Sequence, residues 1–238
     1  MPSLEPITQF SKEVAFRITL ATKVLPQVSP KTLIEGLKNH LGTEISEESL
    51  DQLTIPDLKT ILSNITEENE LSGVEEAVPI LRGETANYQD WFPIEEKIED
   101  SQSIQVAIAS NNPEKLDGHF GSCDYYLIYQ LTPETMRLID VRFAIESDLA
   151  KEKTAFRVNL IKDCEILYLV SIGGPAAAKV VHANIYPLKK EEGGEAREFL
   201  AQLQSAIALS PPPWLAKIFG VRANERLKNY GKTVTAED

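Results

Sequence analysis

The stretch Glu165–Ala183, EILYLVSIGGPAAAKVVHA, decides the fold class. Its first part is a near-continuous apolar run, which predicts a strand buried on both faces. Gly173-Gly174-Pro175 ends that run and opens an alanine-rich helix over Ala176–Ala183, with proline at the start where its missing N–H costs nothing. A short strand, Ile185–Leu188, follows. Strand, helix and strand in that order predict an α/β layer architecture. Upstream, Ile104–Ser110 (IQVAIAS), Tyr125–Leu131 (YYLIYQL) and Met136–Phe143 read as three further strands, the last after a Thr-Pro-Glu turn. Asp148 is placed to cap a helix carrying Ala155, Val158 and Ile161, and Phe199, Leu200, Leu203 and Ile207 mark a final helix. The order β-β-β-α-β-α-β-α describes a mixed sheet with helices on its faces.

The first hundred residues are of another kind. Val14, Ile18, Ala21 and Leu25 share one helical face that Ser11 can cap. Ser29-Pro30 is a helix start, Leu33, Ile34, Leu37 and Leu41 are its apolar stripe, and Gly42 its stop. Thr54 and Asp57 suit a capping box ahead of Leu58, Ile61 and Leu62. With a shorter helix around Ser46–Leu53, this predicts a small bundle of four or five helices. The expected organisation is a helical domain over 1–72, a linker over 73–103, an α/β core over 104–209 and a tail over 210–238. The linker reading rests on broken periodicity, with Trp91-Phe92 expected to dock on a neighbour.

Charge follows the same division. The 238 residues carry a net charge of −12. Residues 1–100 hold 8 basic and 19 acidic side chains, whereas 101–238 hold 16 and 17. An acidic chain lacks the basic face that nucleic acid requires. The longest apolar run is far short of the ~20 residues that span a bilayer. MPSLEPITQF has no basic start and no apolar signal core. Two cysteines, Cys123 and Cys164, make no disulfide framework. Together these features predict a cytoplasmic protein with no nucleic-acid or membrane partner.

The loop Asn111–Asp124 is the richest in chemistry. Gly118 and Gly121 flank His119-Phe120, leaving the backbone free to take positive φ and to let a ligand approach. Neutral imidazole is the commonest metal ligand, and a histidine on such a loop is placed to present one nitrogen outward. A solvated or structural histidine is the plainer alternative. Cys123 offers thiolate to a soft metal, or it is a small buried apolar residue. Neither CxxC nor HExxH occurs, so the visible ligands cannot build a closed metal site. A bound metal species would be held by few protein bonds, which suits temporary holding. Ser171-Ile-Gly-Gly-Pro175 is either a tight strand-to-helix turn or an anion cradle of backbone N–H groups. Ile104–Ser110 carries no acid and no GxSxG elbow is present, which argues against hydrolysis.

LDGHFGSC after the first strand, then SIGGPAAAKVV and PPPWLAK, resemble the NifX/NifY/NafY family of nitrogenase iron–molybdenum cofactor carriers, most closely its NafY/NifY branch. The resemblance implies a ribonuclease H-like core without nuclease activity, preceded by a sterile-alpha-motif-like domain that docks apo-dinitrogenase. It implies that His119 ligates the cofactor, with Cys123 the second candidate contact. It also implies a carrier, not an enzyme, that holds the iron–molybdenum cofactor or its iron–sulfur precursor transiently and delivers it to apo-dinitrogenase. Such an anionic cluster needs local positive charge, for which Lys115, Arg142, Arg157 and Lys179 are candidates. Protonation competes with ligation, so loading is expected to weaken below the ordinary imidazole value of ~6.5. The alternative is a pure interaction factor that stabilises cofactor-free dinitrogenase without touching the cluster.

Overall fold

The computed structural model of the chain describes residues 9–42, 44–66, 72–99 and 103–209. The expected tail, with PPPWLAK, lies outside the described residues. The chain forms two compact units. The first comprises residues up to Pro93 together with Gly121–Tyr126 and Val141–Leu160; the second comprises Ile94–Phe120, Leu127–Asp140 and the remainder from Ile161.

The first unit is built on helices whose ends the sequence specifies. Helix α1 (Lys12–Val24) is capped by Ser11, whose hydroxyl accepts from the Val14 N–H at 3.1 Å. Helix α2 (Pro30–Leu41) starts at the Ser29 cap and stops at Gly42, which sits left-handed at φ 63°. A single turn, α3 (Glu47–Asp51), leads to α4 (Ile55–Ile65), where Thr54 and Asp57 form the expected reciprocal capping box. Helix α1 buries Val14, Phe16, Ile18 and Ala21, and α2 buries Leu33, Ile34 and Leu37.

Residues 73–103, read from sequence as a loosely ordered linker, carry two more helices. Helix α5 (Val74–Leu81) buries Val74, Ala77, Val78 and Leu81 and packs on α1. That burial outweighs the N–H that Pro79 removes from inside the helix. A turn of helix, α6 (Tyr88–Trp91), precedes Phe92. Phe92, only 2% exposed, lies edge-on to Phe16, Tyr125 and Phe143 at centroid distances of 6.0, 5.2 and 6.2 Å. Edge-to-face pairs of this kind add to plain area burial. Trp91 keeps 36% of its surface exposed.

The second unit is organised on a five-stranded mixed sheet. Strand β1 (Ile104–Ser110) is followed by β2 (Lys115–Leu116), β3 (Tyr125–Leu131) and β4 (Met136–Phe143). The 3₁₀ turn at Ile145–Asp148 and α7 (Lys153–Leu160) belong to the first unit, and the second resumes with β5 (Ile166–Leu169), α8 (Gly174–His182), β6 (Tyr186–Lys189), β7 (Gly194–Glu195) and α9 (Ala196–Leu209). The sheet order is β4-β3-β1-β5-β6, with β1 central, and β5 runs parallel to both β1 and β6. Every residue of β5 is buried, as its unbroken apolar sequence requires. Strands β2 and β7 form a separate antiparallel pair.

Two local expectations fail. Asp148 is not a helix cap: it ends the 3₁₀ turn and pairs with Lys153 Nζ at 2.5 Å, and α7 starts four residues later than a cap there would place it. Gly118 and Gly121 are absent from the positive-φ glycines, which among the described residues are Gly42, Gly73, Gly83, Gly193 and Gly194.

Candidate functional site

His119 is held by its backbone and pointed by alternation. The Gly118 N–H donates to Ala109 O at 3.0 Å, and Gly118 O accepts from the Val170 N–H at 2.9 Å. The Phe120 N–H donates to Ser171 O at 2.9 Å. Residues 118–120 therefore run as a one-residue parallel bridge, His119 to Ser171, beyond the end of β5. Gly118 and Phe120 are buried and His119 is exposed, the two-residue period of an extended chain with one face inward. Asp117 fixes the preceding turn, accepting from the Asn111 N–H at 2.6 Å and from Asn112 Nδ2 at 2.7 Å. Gly118 is thus a buried, doubly hydrogen-bonded link in the chain and not a left-handed turn.

The imidazole Nδ1 lies 2.7 Å from Ser171 Oγ. No second partner reaches the ring among the described residues. Three residues beyond Ser171 begins α8, whose N-cap is Gly173 and whose start carries no side-chain cap and no acidic first-turn residue. The first N–H groups of a helix have no intrahelical partner and stand at its positive end. Gly173 and Gly174 are exposed, and a methyl placed on either would meet open space. Pro175, exposed in the first turn, contributes no N–H, so the free donors at this end are those of the glycines and Ala176.

Cys123 is placed differently. It belongs to the first unit and is 1% exposed. Arg157 Nη1 donates to its carbonyl at 3.0 Å and lies 3.2 Å from Sγ, while Arg157 Nε reaches Ser147 Oγ at 3.0 Å. Burial pushes the Cys123 thiol up, against the opposing pull of Arg157. The neutral thiol is the form that does not bind metal. Arg157, itself 3% exposed, is an internal strut rather than a surface cation. Around it a cavity of about 240 Å³ is lined by Thr19, Thr22, Ser122, Asp148 and Lys153. Of the other candidate cations, Lys115 pairs with Glu195, and Arg142 Nη1 donates to Leu160 O at 2.5 Å. Lys179 stands exposed on α8.

Among the described residues, no three of His, Cys, Asp and Glu gather as a metal-binding group. No described helix is long and apolar enough to cross a membrane. Ser171 was missed as a partner of His119 because 52 residues separate them. The only signal for it was its position directly before Ile-Gly-Gly-Pro.

Residues 102–206 match the family model described as dinitrogenase iron–molybdenum cofactor, and residues 10–91 match the model for its N-terminal region. Protein NifY of Azotobacter vinelandii is 37% identical over 224 residues, covering 90% of this chain and 93% of that protein. Protein NifY of Klebsiella pneumoniae is 26% identical over 202 residues, covering 85% and 87%. Protein NifX of Rhodobacter capsulatus is 30% identical over 124 residues, covering 49% of this chain and 78% of its own. Matched by family models over residues 10–91 and 102–206 and by a NifY over 90% of its length, this chain belongs to the NifX/NifY family of dinitrogenase iron–molybdenum cofactor proteins.

Proposed function

We propose that this protein carries the iron–molybdenum cofactor, or its iron–sulfur precursor, as transient cargo and delivers it to apo-dinitrogenase. The observation that carries this reading is His119: an exposed imidazole on a pinned extended segment, in the same unit as a helix start with no side-chain cap and no acidic residue in its first turn. A histidine supplies a dative bond to a metal of the cargo. The positive end of α8 and its unpaired N–H groups favour the cargo's negative charge. One side-chain bond holds the cluster weakly enough to be surrendered to an acceptor with more ligands. The work is binding, not turnover: no acidic side chain stands on β1 to activate water.

The five-strand order with β1 central supports the ribonuclease H-like core that the family resemblance implies. The acidic helical half suits docking to apo-dinitrogenase, which separates recognition of the acceptor from retention of the cargo. Anaerobic mixing of the full chain with isolated cofactor, followed by gel filtration and metal analysis, tests the reading. Wild-type protein retains iron and molybdenum, and His119→Ala loses most of the load while its Tm is unchanged. If the two retain equal metal, the carrier role through His119 is wrong. Full-length protein that retains no metal yet still binds apo-dinitrogenase establishes the interaction factor instead.

A further inference from the structure

We propose that Ser171 is a positioning residue for His119: its Oγ accepts from the Nδ1–H, which leaves the lone pair on Nε2 as the one offered to the cargo. This rests on the carrier reading and names the atom through which it works.

A neutral imidazole carries its proton on either nitrogen, and the nitrogen that binds metal is the one without it. The ring alone does not determine which. Here the group that meets Nδ1 lies on another segment. Ser171 Oγ stands 2.7 Å from Nδ1, and the Phe120 N–H to Ser171 O bond of 2.9 Å fixes the two chains against each other. The separation is therefore set by backbone, not by two mobile side chains on a surface. A serine just ahead of a helix commonly turns its hydroxyl to the helix N–H groups. At α8 it does not: the N-cap is Gly173, no side chain caps the start, and the Ser171 hydroxyl goes to the imidazole. His119 is exposed and its one ring contact among the described residues is at Nδ1, so Nε2 is the nitrogen left for the cargo.

The choice of partner fits a carrier. Metal-binding histidines commonly donate their second N–H to a carboxylate or carbonyl, which orients the ring and raises its basicity. A hydroxyl is a weaker acceptor than a carboxylate. It orients the ring as well but adds less to the strength of the metal bond. Loading forms one bond, from the Nε2 lone pair to a cluster metal, while the Nδ1 proton stays shared with Ser171.

The test uses the full chain labelled with nitrogen-15 in its histidines. At pH 8, without cargo, long-range proton–nitrogen spectra report the tautomer of His119. Wild type is expected to show Nδ1–H as the major form, Ser171→Ala to shift the ring toward Nε2–H, and Ser171→Thr to restore it. Titration with isolated iron–molybdenum cofactor is expected to show loading about tenfold weaker for Ser171→Ala, with recovery in Ser171→Thr. Nε2–H as the major wild-type form overturns the proposal, and that measurement needs no variant to fold. So does a Ser171→Ala protein with unchanged tautomer and loading. His119→Ala separates the two readings: if it loads like wild type, the carrier reading falls. If it fails to load while Ser171→Ala matches wild type, only the role of Ser171 falls.

Discussion

Gly173 and Gly174 keep the approach to α8 bare, and their conformation shows that the fold does not demand it. Gly173 sits at φ −73°, ψ 149°, ordinary extended backbone that a β-branched residue adopts readily, and a methyl there meets open space. Glycine is a favoured N-cap, which accounts for Gly173, and the open space around it leaves room for a bulky ligand. Gly173→Val is expected to cost about 1 kcal/mol, since valine is a poor N-cap, and to weaken cofactor loading by about tenfold or more. Thermal melts and anaerobic titration check both, and unchanged loading removes the steric argument. His119 was legible from sequence because glycines and a motif frame it. The burial of Cys123 was one of its two sequence readings, but the strut that seals it, Arg157, could not be read because it arrives from a distant helix. Four residues separate Cys123 from His119 in the chain, yet the thiol lies inside a packed core while the imidazole lies in water.

Among the elements, the helix ends were the most readable, since capping is a short-range agreement between a side chain and N–H groups two or three residues on. Ser11, Ser29, Thr54 and Gly42 all act where the sequence places them. Helix α5 escaped notice although Val74, Ala77, Val78 and Leu81 have helical spacing, because Pro79 and the surrounding acids suggested a break. Strands β2 and β7, two residues each, are too short to carry any period. The entry to α5 also shows a glycine the fold does require. Gly73 stands at φ 78°, and a Cβ there would lie 1.8 Å from Val24 O. Gly42 has a similar φ of 63° but open space around it. Gly42→Ala is expected to cost about 1 kcal/mol and Gly73→Ala considerably more, since the latter adds a backbone collision to the strained φ. Calorimetric melting of the two variants decides; equal losses would mean that the collision relaxes freely.

At the scale of the whole molecule, the helical half and the α/β half are not successive pieces of chain. The first unit takes back Gly121–Tyr126 and Val141–Leu160, so Tyr125 and Phe143 complete an aromatic cluster begun by Phe16, Tyr88 and Phe92. Sequence reading gave a change of composition near residue 100 and the succession of the longer strands and helices in the second half, but not their order in the sheet. It could not find this return, because the returning residues are parts of well-formed strands whose period says nothing about which core they enter. A fragment of residues 1–100 is therefore expected to lack a cooperative melt and to bind a hydrophobic dye, whereas the full chain does neither. A fragment that melts as sharply as the intact protein would show that the helices close their own core.

That shared cluster has a consequence for synthesis on the ribosome. Phe16 emerges early and Phe143 much later, with elongation at roughly 5–20 residues per second. For several seconds the nascent helices carry an unfilled aromatic face that only the later strands can cover. The helical half comes out first but is finished late, and it is during this interval that a holding chaperone would find something to grip.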